Sequence, residues 1–229
     1  MKLAVMQPYF MPYIGYWQLI NAVDKFVIYD DVNYIVKGWI NRNNILLNNQ
    51  KYLFTLALSK ASINKLVNDI YIFNEQSKLL KTFETAYKKA PYFKDVFSLV
   101  IKIFKYDDKN LAKFLGNSII QIADYLGIKT EFIYSSKIKK ENTLKRQDKI
   151  INICKMMNAT EYYNAIGGME LYNKNDFIKN NIRLQFLKTK IVEYKQFNNK
   201  FIPNLSILDI MMFNSVKDIN KMLIEYELF

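Results

Sequence analysis

This sequence predicts an α/β fold built on a mainly parallel, Rossmann-like sheet, with a β-hairpin and a helical insertion. Three observations predict it. Leu3-Ala4-Val5-Met6 and Phe26-Val27-Ile28-Tyr29 are short apolar runs of the kind that form strands buried on both faces. Between them, residues 14–23 place Trp17, Ile20 and Ala22 at helical spacing, so the chain opens with a βαβ unit. Beyond residue 127 the alternation returns, with strand patterns at 131–134, 161–163 and 182–186 separated by helical stretches.

The remaining elements follow in order. Ile45-Leu46-Leu47 and Tyr52-Leu53-Phe54-Thr55-Leu56-Ala57-Leu58 flank Asn48-Asn49-Gln50-Lys51, which predicts a hairpin. Helical patterns run over about 75–89 and 92–104. A third helix carries Leu111, Leu115, Ile119, Ile122 and Leu126 on one face and ends at Gly127 as its C-cap. Asn142 or Thr143 is placed to cap a helix running to Met157, Gly167-Gly168 marks a turn, and Phe177 marks a short helix. The tail at 206–226 reads as one or two closing helices, capped by Asn204 or Ser206 after Pro203. No repeat, low-complexity segment or linker interrupts the chain. One domain spanning 1–229, with a helical insertion at about 75–126, is the expected architecture.

A hydrophobic fraction of 51% in 229 residues supports a substantial core. No apolar run reaches the roughly 18 residues of a membrane span. The opening Met1-Lys2-Leu3-Ala4-Val5-Met6 breaks into Gln7-Pro8 before a signal-peptide core forms, so a cytoplasmic protein is expected. The absence of histidine excludes Ser-His and Cys-His nucleophile pairs and histidine-ligated zinc, leaving acid–base work to carboxylates, lysine, tyrosine or the substrate. Cys154 lies among Ile150, Ile151, Ile153 and Met156 and reads as core. The formal charge of +12 suits an anionic ligand, but its lysines are scattered, and a solvated lysine surface explains it better than a nucleic-acid interface. Only Arg42, Arg146 and Arg183 offer the planar fork that captures phosphate or carboxylate.

Candidate ligand residues concentrate in the N-terminal quarter. Gln7, Tyr9 and Tyr13 follow the first strand among prolines that stiffen the turn, and Tyr16 stands at the start of the helix. Asp30 and Asp31 occupy the carboxyl end of the second strand, where open α/β sheets bind ligands. They suit a ribose hydroxyl or a magnesium ion on a diphosphate, or simply cap a turn. Trp39 can stack on a base or sugar or belong to the core, Asn41 can bind substrate, and Arg42 can clamp an anion. Gly167 and Gly168 let backbone amides approach a ligand with Glu170 beside them as a base, or form an ordinary loop. Arg146, after Lys145 near a helix start, meets either an anion or solvent. The expected picture is one cleft in which Gln7, Asp30 and Arg42 face a charged small molecule.

Read in order, Gln7-Pro8-Tyr9-Phe10-Met11-Pro12-Tyr13-Ile14-Gly15-Tyr16, Tyr29-Asp30-Asp31-Val32, Trp39-Ile40-Asn41-Arg42-Asn43, Gly167-Gly168-Met169-Glu170-Leu171-Tyr172 and Phe201-Ile202-Pro203-Asn204-Leu205-Ser206-Ile207-Leu208-Asp209 resemble the WbqC-like protein family over nearly the whole chain. The resemblance implies a place in the synthesis of bacterial O-antigen and other surface polysaccharides, with glycine transfer as the suggested activity; it implies no catalytic residues. The expected function is therefore a transferase or ligase acting on a sugar intermediate, an amino-sugar nucleotide, by glycyl or acyl transfer that forms an amide. Asp30, Asp31 or Glu170 would take the proton of the attacking amine, and Gln7, Asn41 or Arg42 would hold substrate and oxyanion. An acyl-adenylate made from ATP with magnesium, an acyl thioester and a charged tRNA all remain open as donors, as does the oligomeric state. Tyr13-Ile14-Gly15-Tyr16 is also similar to the His-x-Gly-His signature of nucleotidyltransferases, with tyrosine at both histidine positions. A nucleotidyltransferase-type enzyme acting on a sugar phosphate is thus one alternative. A non-catalytic basic module binding nucleic acid or an assembly partner is the other.

Overall fold

The structure is a computed structural model that describes residues 1–141, 143–197 and 200–229; the cap candidate Asn142 lies outside these. β1 (Lys2–Met6) leads through α1 (Ile14–Asn21) to β2 (Lys25–Ile28). A hairpin of β3 (Arg42–Leu47) and β4 (Gln50–Thr55) follows, then the short pair β5 (Leu58–Ser59) and β6 (Tyr71–Ile72). The helices α2 (Ser77–Tyr87), α3 (Phe93–Phe104) and α4 (Leu111–Leu126) come next. β7 (Glu131–Tyr134), α5 (Arg146–Met156), β8 (Glu161–Ala165), α6 (Lys174–Lys179) and β9 (Arg183–Thr189) restore the alternation. The chain closes with α7 (Ile207–Phe213), α8 (Val216–Met222) and β10 (Tyr226–Leu228).

The six-stranded sheet has the order β10-β9-β8-β1-β2-β7, parallel throughout except for β10. From β1 the chain builds outward to β2 and β7, then crosses by α5 to β8 and builds to β9 on the other side. The order therefore reverses between β1 and β8, and the carboxyl ends of those strands are where such sheets open a crevice. Alternate side chains feed two cores. Leu3, Val5 and Val27 pack with Ile150, Ile153 and Phe177 of α5 and α6. On the opposite face, Ala4, Phe26 and Ile28 pack with Trp17 and Ile20 of α1 and Leu115 and Ile119 of α4. Burial on both faces is why these strands are written as unbroken apolar runs.

Local chemistry sets most of the boundaries. The Asn110 side chain accepts from the Lys113 N–H at 3.2 Å to start α4, and Gly127, at φ 75°, ends it in the left-handed region. The hairpin turns on Asn48 and Asn49 alone, at φ 50° and 61°, a primed turn whose twist matches its strands; it is tighter than the four-residue loop expected. α4 returns the chain to β7 as the crossover helix, with α3 packed on it and α2 packed on α3 and β3. Thr143 does not cap α5: the N-cap position is Lys145, and the Thr143 hydroxyl donates to Glu141 at 2.7 Å. Ser206 is the cap of α7, accepting from the Leu208 N–H at 3.2 Å. Among the described residues, no helix is long and apolar enough to cross a membrane.

Candidate functional site

The loop from β1 to α1 is held by its own carbonyls. The Tyr16 hydroxyl donates to the Gln7 carbonyl at 2.9 Å, and burial keeps that phenol protonated by pushing its pKa far up. The Met11 carbonyl accepts from Asn43 Nδ2 at 2.8 Å and from Ser206 Oγ at 2.6 Å. The Pro12 carbonyl accepts from Trp17 Nε1 at 3.1 Å and from the Ile207 N–H at 2.9 Å. Met11 itself is buried at φ 47°, a backbone state that a non-glycine residue keeps only when its surroundings over-determine it. Three stretches far apart in sequence, the loop after β1, the start of the hairpin and the start of α7, are thereby fastened together.

Over this junction lies a hollow of 360 Å³. Tyr9, Tyr13 and Trp39, with Pro12, form its apolar walls; Asn43, Asn44 and Asn204 bring amides and Lys51 a cation. Trp39 is half exposed, with the Arg42 guanidinium 5.9 Å from its ring centroid, while Asn43 and Asn44 are buried. Burial first, and the neighbouring Tyr13 second, raise the pKa of the Tyr9 phenol, so it stays a hydrogen-bond donor. No carboxylate lines the hollow, and Lys51 makes no ion pair among the described residues. Such a surface takes a ring with apolar faces, polar substituents and a negative group.

Of the residues predicted from sequence, Tyr9, Tyr13 and Trp39 line this hollow. Tyr16 is buried beneath it, and Asn41 spends both ends of its amide, donating to the Leu56 carbonyl at 2.9 Å and accepting from Tyr34 at 2.7 Å. Arg42 turns back on its own loop, donating from Nε to the Gly38 carbonyl at 2.9 Å and from Nη2 to the Lys37 carbonyl. Gln7 lies at the end of β1 with its amide 3.5 Å from the Asn33 carbonyl. Asp30 is 2% exposed and ties β2 to the turn after β7, accepting from the Ser135 hydroxyl at 3.0 Å, the Ser136 N–H at 2.9 Å and the Ser136 hydroxyl at 2.6 Å. It borders a different hollow, with Asp69, Asp108 and Lys113.

Asp31 pairs with Lys140 at 2.7 Å and, more loosely, with Lys149 at 3.8 Å. Burial pushes the Asp31 pKa up, but the Lys140 and Ser135 hydrogen bonds and the Lys149 charge outweigh it and leave the pKa lowered. Surrounded by N–H, O–H and ammonium donors, neither aspartate fits a magnesium ion. Gly167, Gly168 and the exposed Glu170 lie in the turn after β8, and Arg146 is exposed at the start of α5. Gln7, Asp30 and Arg42 therefore engage three separate neighbourhoods instead of one shared cleft. The polar lining residues that sequence reasoning did not name as ligand contacts are Asn43, Asn44, Lys51 and Asn204; for the first two the signal was a pair of amides after Arg42 in a strand that continues Ile-Leu-Leu.

The model of the WbqC-like protein family matches residues 7–221. The chain belongs to the WbqC-like protein family. The match begins at Gln7 and takes in every stretch that meets at the hollow. This WbqC-like chain is also 26% identical over 215 residues to "Uncharacterized protein Rv1507c" of Mycobacterium tuberculosis (strain ATCC 25618 / H37Rv), covering 92% of each chain. No solved structure matches it significantly.

Proposed function

We propose that this WbqC-like protein is a transferase or ligase acting on a sugar intermediate, an amino-sugar nucleotide, of bacterial surface-polysaccharide synthesis, by glycyl or acyl transfer that forms an amide. The observation that carries the reading is the hollow in which Tyr9, Tyr13 and Trp39 stand beside Asn43, Asn44 and Lys51. Aromatic faces pack on the C–H faces of a sugar, amides pair with its polar substituents, and a lysine that has no ion pair and no carboxylate beside it among the described residues suits a diphosphate. Removing the proton of an attacking amine then falls to a group beyond the lining. Asp30 is saturated with donors and Asp31 is neutralised by Lys140, which leaves Glu170 of the three candidates. Glu170 follows β8, the strand beside β1. In that step the amine nitrogen bonds the acyl carbon, its proton passes to Glu170, and the donor's leaving group departs with the electron pair.

The nucleotidyltransferase alternative has no such support. A Cβ on Gly15 would collide with Thr189 Oγ1 and the Tyr13 hydroxyl, so the glycine is explained by close side-chain packing on this turn. The test is a thermal-shift panel of sugar nucleotides, ATP and acyl-CoA on the wild-type chain and Trp39→Ala. An amino-sugar nucleotide in large excess raises the wild-type unfolding temperature, and Trp39→Ala keeps the unliganded temperature but loses the rise. Stabilisation by ATP alone, undiminished in Trp39→Ala, would reverse the conclusion.

A further inference from the structure

Asn44 is nine-tenths buried on β3, and its side-chain amide makes no hydrogen bond among the described residues, although its backbone is fully used. Its N–H donates to Asn43 Oδ1 at 2.8 Å and its carbonyl accepts from the Ser206 N–H at 2.8 Å. Asn43 differs: both ends of its amide are committed to the protein, on the Met11 carbonyl and the Asn44 N–H. Of the two buried amides in the hollow, one is a fastener and the other has its hydrogen-bonding capacity left over. Among the described residues the sealed side-chain atoms without a partner are Gln18 Oε1 and Ser118 Oγ, so the Asn44 amide is open to the hollow, on a strand whose continuation Ile45-Leu46-Leu47 would accept an apolar residue.

We infer that Asn44 is a specificity-determining residue that pairs with a polar substituent of the bound sugar ring, and that the substituent is an acylamino group at a ring position other than that of the amine that is acylated. The apolar walls around it, Tyr9, Pro12 and Tyr13, suit the methyl that an acylamino group carries and a hydroxyl lacks. This rests on the reading of the hollow as a sugar site. The amide's two donors and one carbonyl can meet both the carbonyl and the N–H of such a group.

The experiment is calorimetric titration of the wild-type chain, Asn44→Leu and Asn44→Asp with UDP-N-acetylglucosamine and with UDP-glucose, beside thermal unfolding of each unliganded variant. The wild type prefers the N-acetylated ligand. Asn44→Leu unfolds at the same or a higher temperature than wild type, yet loses about tenfold in affinity for that ligand and none for UDP-glucose. Asn44→Asp keeps the shape, loses the donors, and shows the same collapse of preference. An unchanged preference in both variants overturns the inference, as does a fall in unfolding temperature that tracks the affinity loss, because that marks a structural residue. If neither nucleotide binds the wild type while the fold is intact, the reading of the hollow as a sugar site fails first and takes this inference with it.

Discussion

Asp209 is buried and Asp31 partly buried, and their partners give them opposite pH signatures. Asp31 faces Lys140, whose side chain is 2% exposed, so its pKa lies below the ordinary 3.8. Its ion pair stabilises the fold at every pH above that value, and the contribution is lost as pH falls through the lowered pKa. Asp31→Asn should cost about 1–3 kcal/mol at pH 7, because the Lys140 ammonium loses its counter-charge and keeps only the Ser135 carbonyl, and should flatten the acid limb of stability below pH 3.8; urea unfolding across pH checks both. Asp209 instead accepts from Tyr87 at 2.7 Å, Tyr194 at 2.6 Å and Gln196 at 2.8 Å. Burial outweighs these donors and raises its pKa, so its contribution is largest at low pH and declines as pH climbs from 3.8 through the raised value. In the same urea series, Asp209→Asn should remove that decline. Asn43 was legible as part of a motif, but its role was not. Its partner, the Met11 carbonyl, lies 32 residues away in the chain, so Asn43→Ala should cost about 1–3 kcal/mol through loss of a contact that no local pattern announces.

At the scale of elements, periodicity and turn chemistry carried most of the fold. The runs 3–6 and 26–29 became β1 and β2, the apolar face from Leu111 to Leu126 became α4, and Gly127 stopped it. What periodicity could not show is pairing: β10 exists because Leu228 and Tyr226 find the edge of β9, and that edge is defined only once the sheet is assembled. The hairpin is likewise positioned by its neighbours, with the Ser206 N–H donating to the carbonyl of Asn44 and the Ser206 hydroxyl to Met11. Ser206→Ala removes the α7 cap and one of the two side-chain donors on Met11; a loss of about 1–2 kcal/mol in chemical unfolding is expected. Gly15 illustrates a misleading local signal, because a glycine in a turn resembles a phosphate cradle. Here it lets α1 approach Thr189, and Gly15→Ala should lower stability by about 1–3 kcal/mol through overpacking, as thermal unfolding would register.

Across the whole molecule, the strand order places the loops after β1 and β8 side by side, whereas the βαβ opening foretold only that β1 would lie beside β2. The grouping of site residues was less legible. Asp30, Asp31 and Arg42 are residue types that binding sites use, yet each is engaged by the protein, through Ser135 and Ser136, Lys140, and the Lys37 and Gly38 carbonyls. The hollow is formed instead where the family's first, third and last motif blocks converge, by bonds spanning up to 195 residues of sequence. Its one tryptophan supplies the most direct test. The chain has two tryptophans, Trp17 fully buried and Trp39 half exposed at the hollow, so Trp17→Phe leaves Trp39 as the sole indole reporter. Titrating that variant with an amino-sugar nucleotide should change Trp39 emission saturably, with the midpoint matching the calorimetric dissociation constant. Saturable calorimetric binding with Trp39 emission unmoved would place the ligand elsewhere and contradict the account.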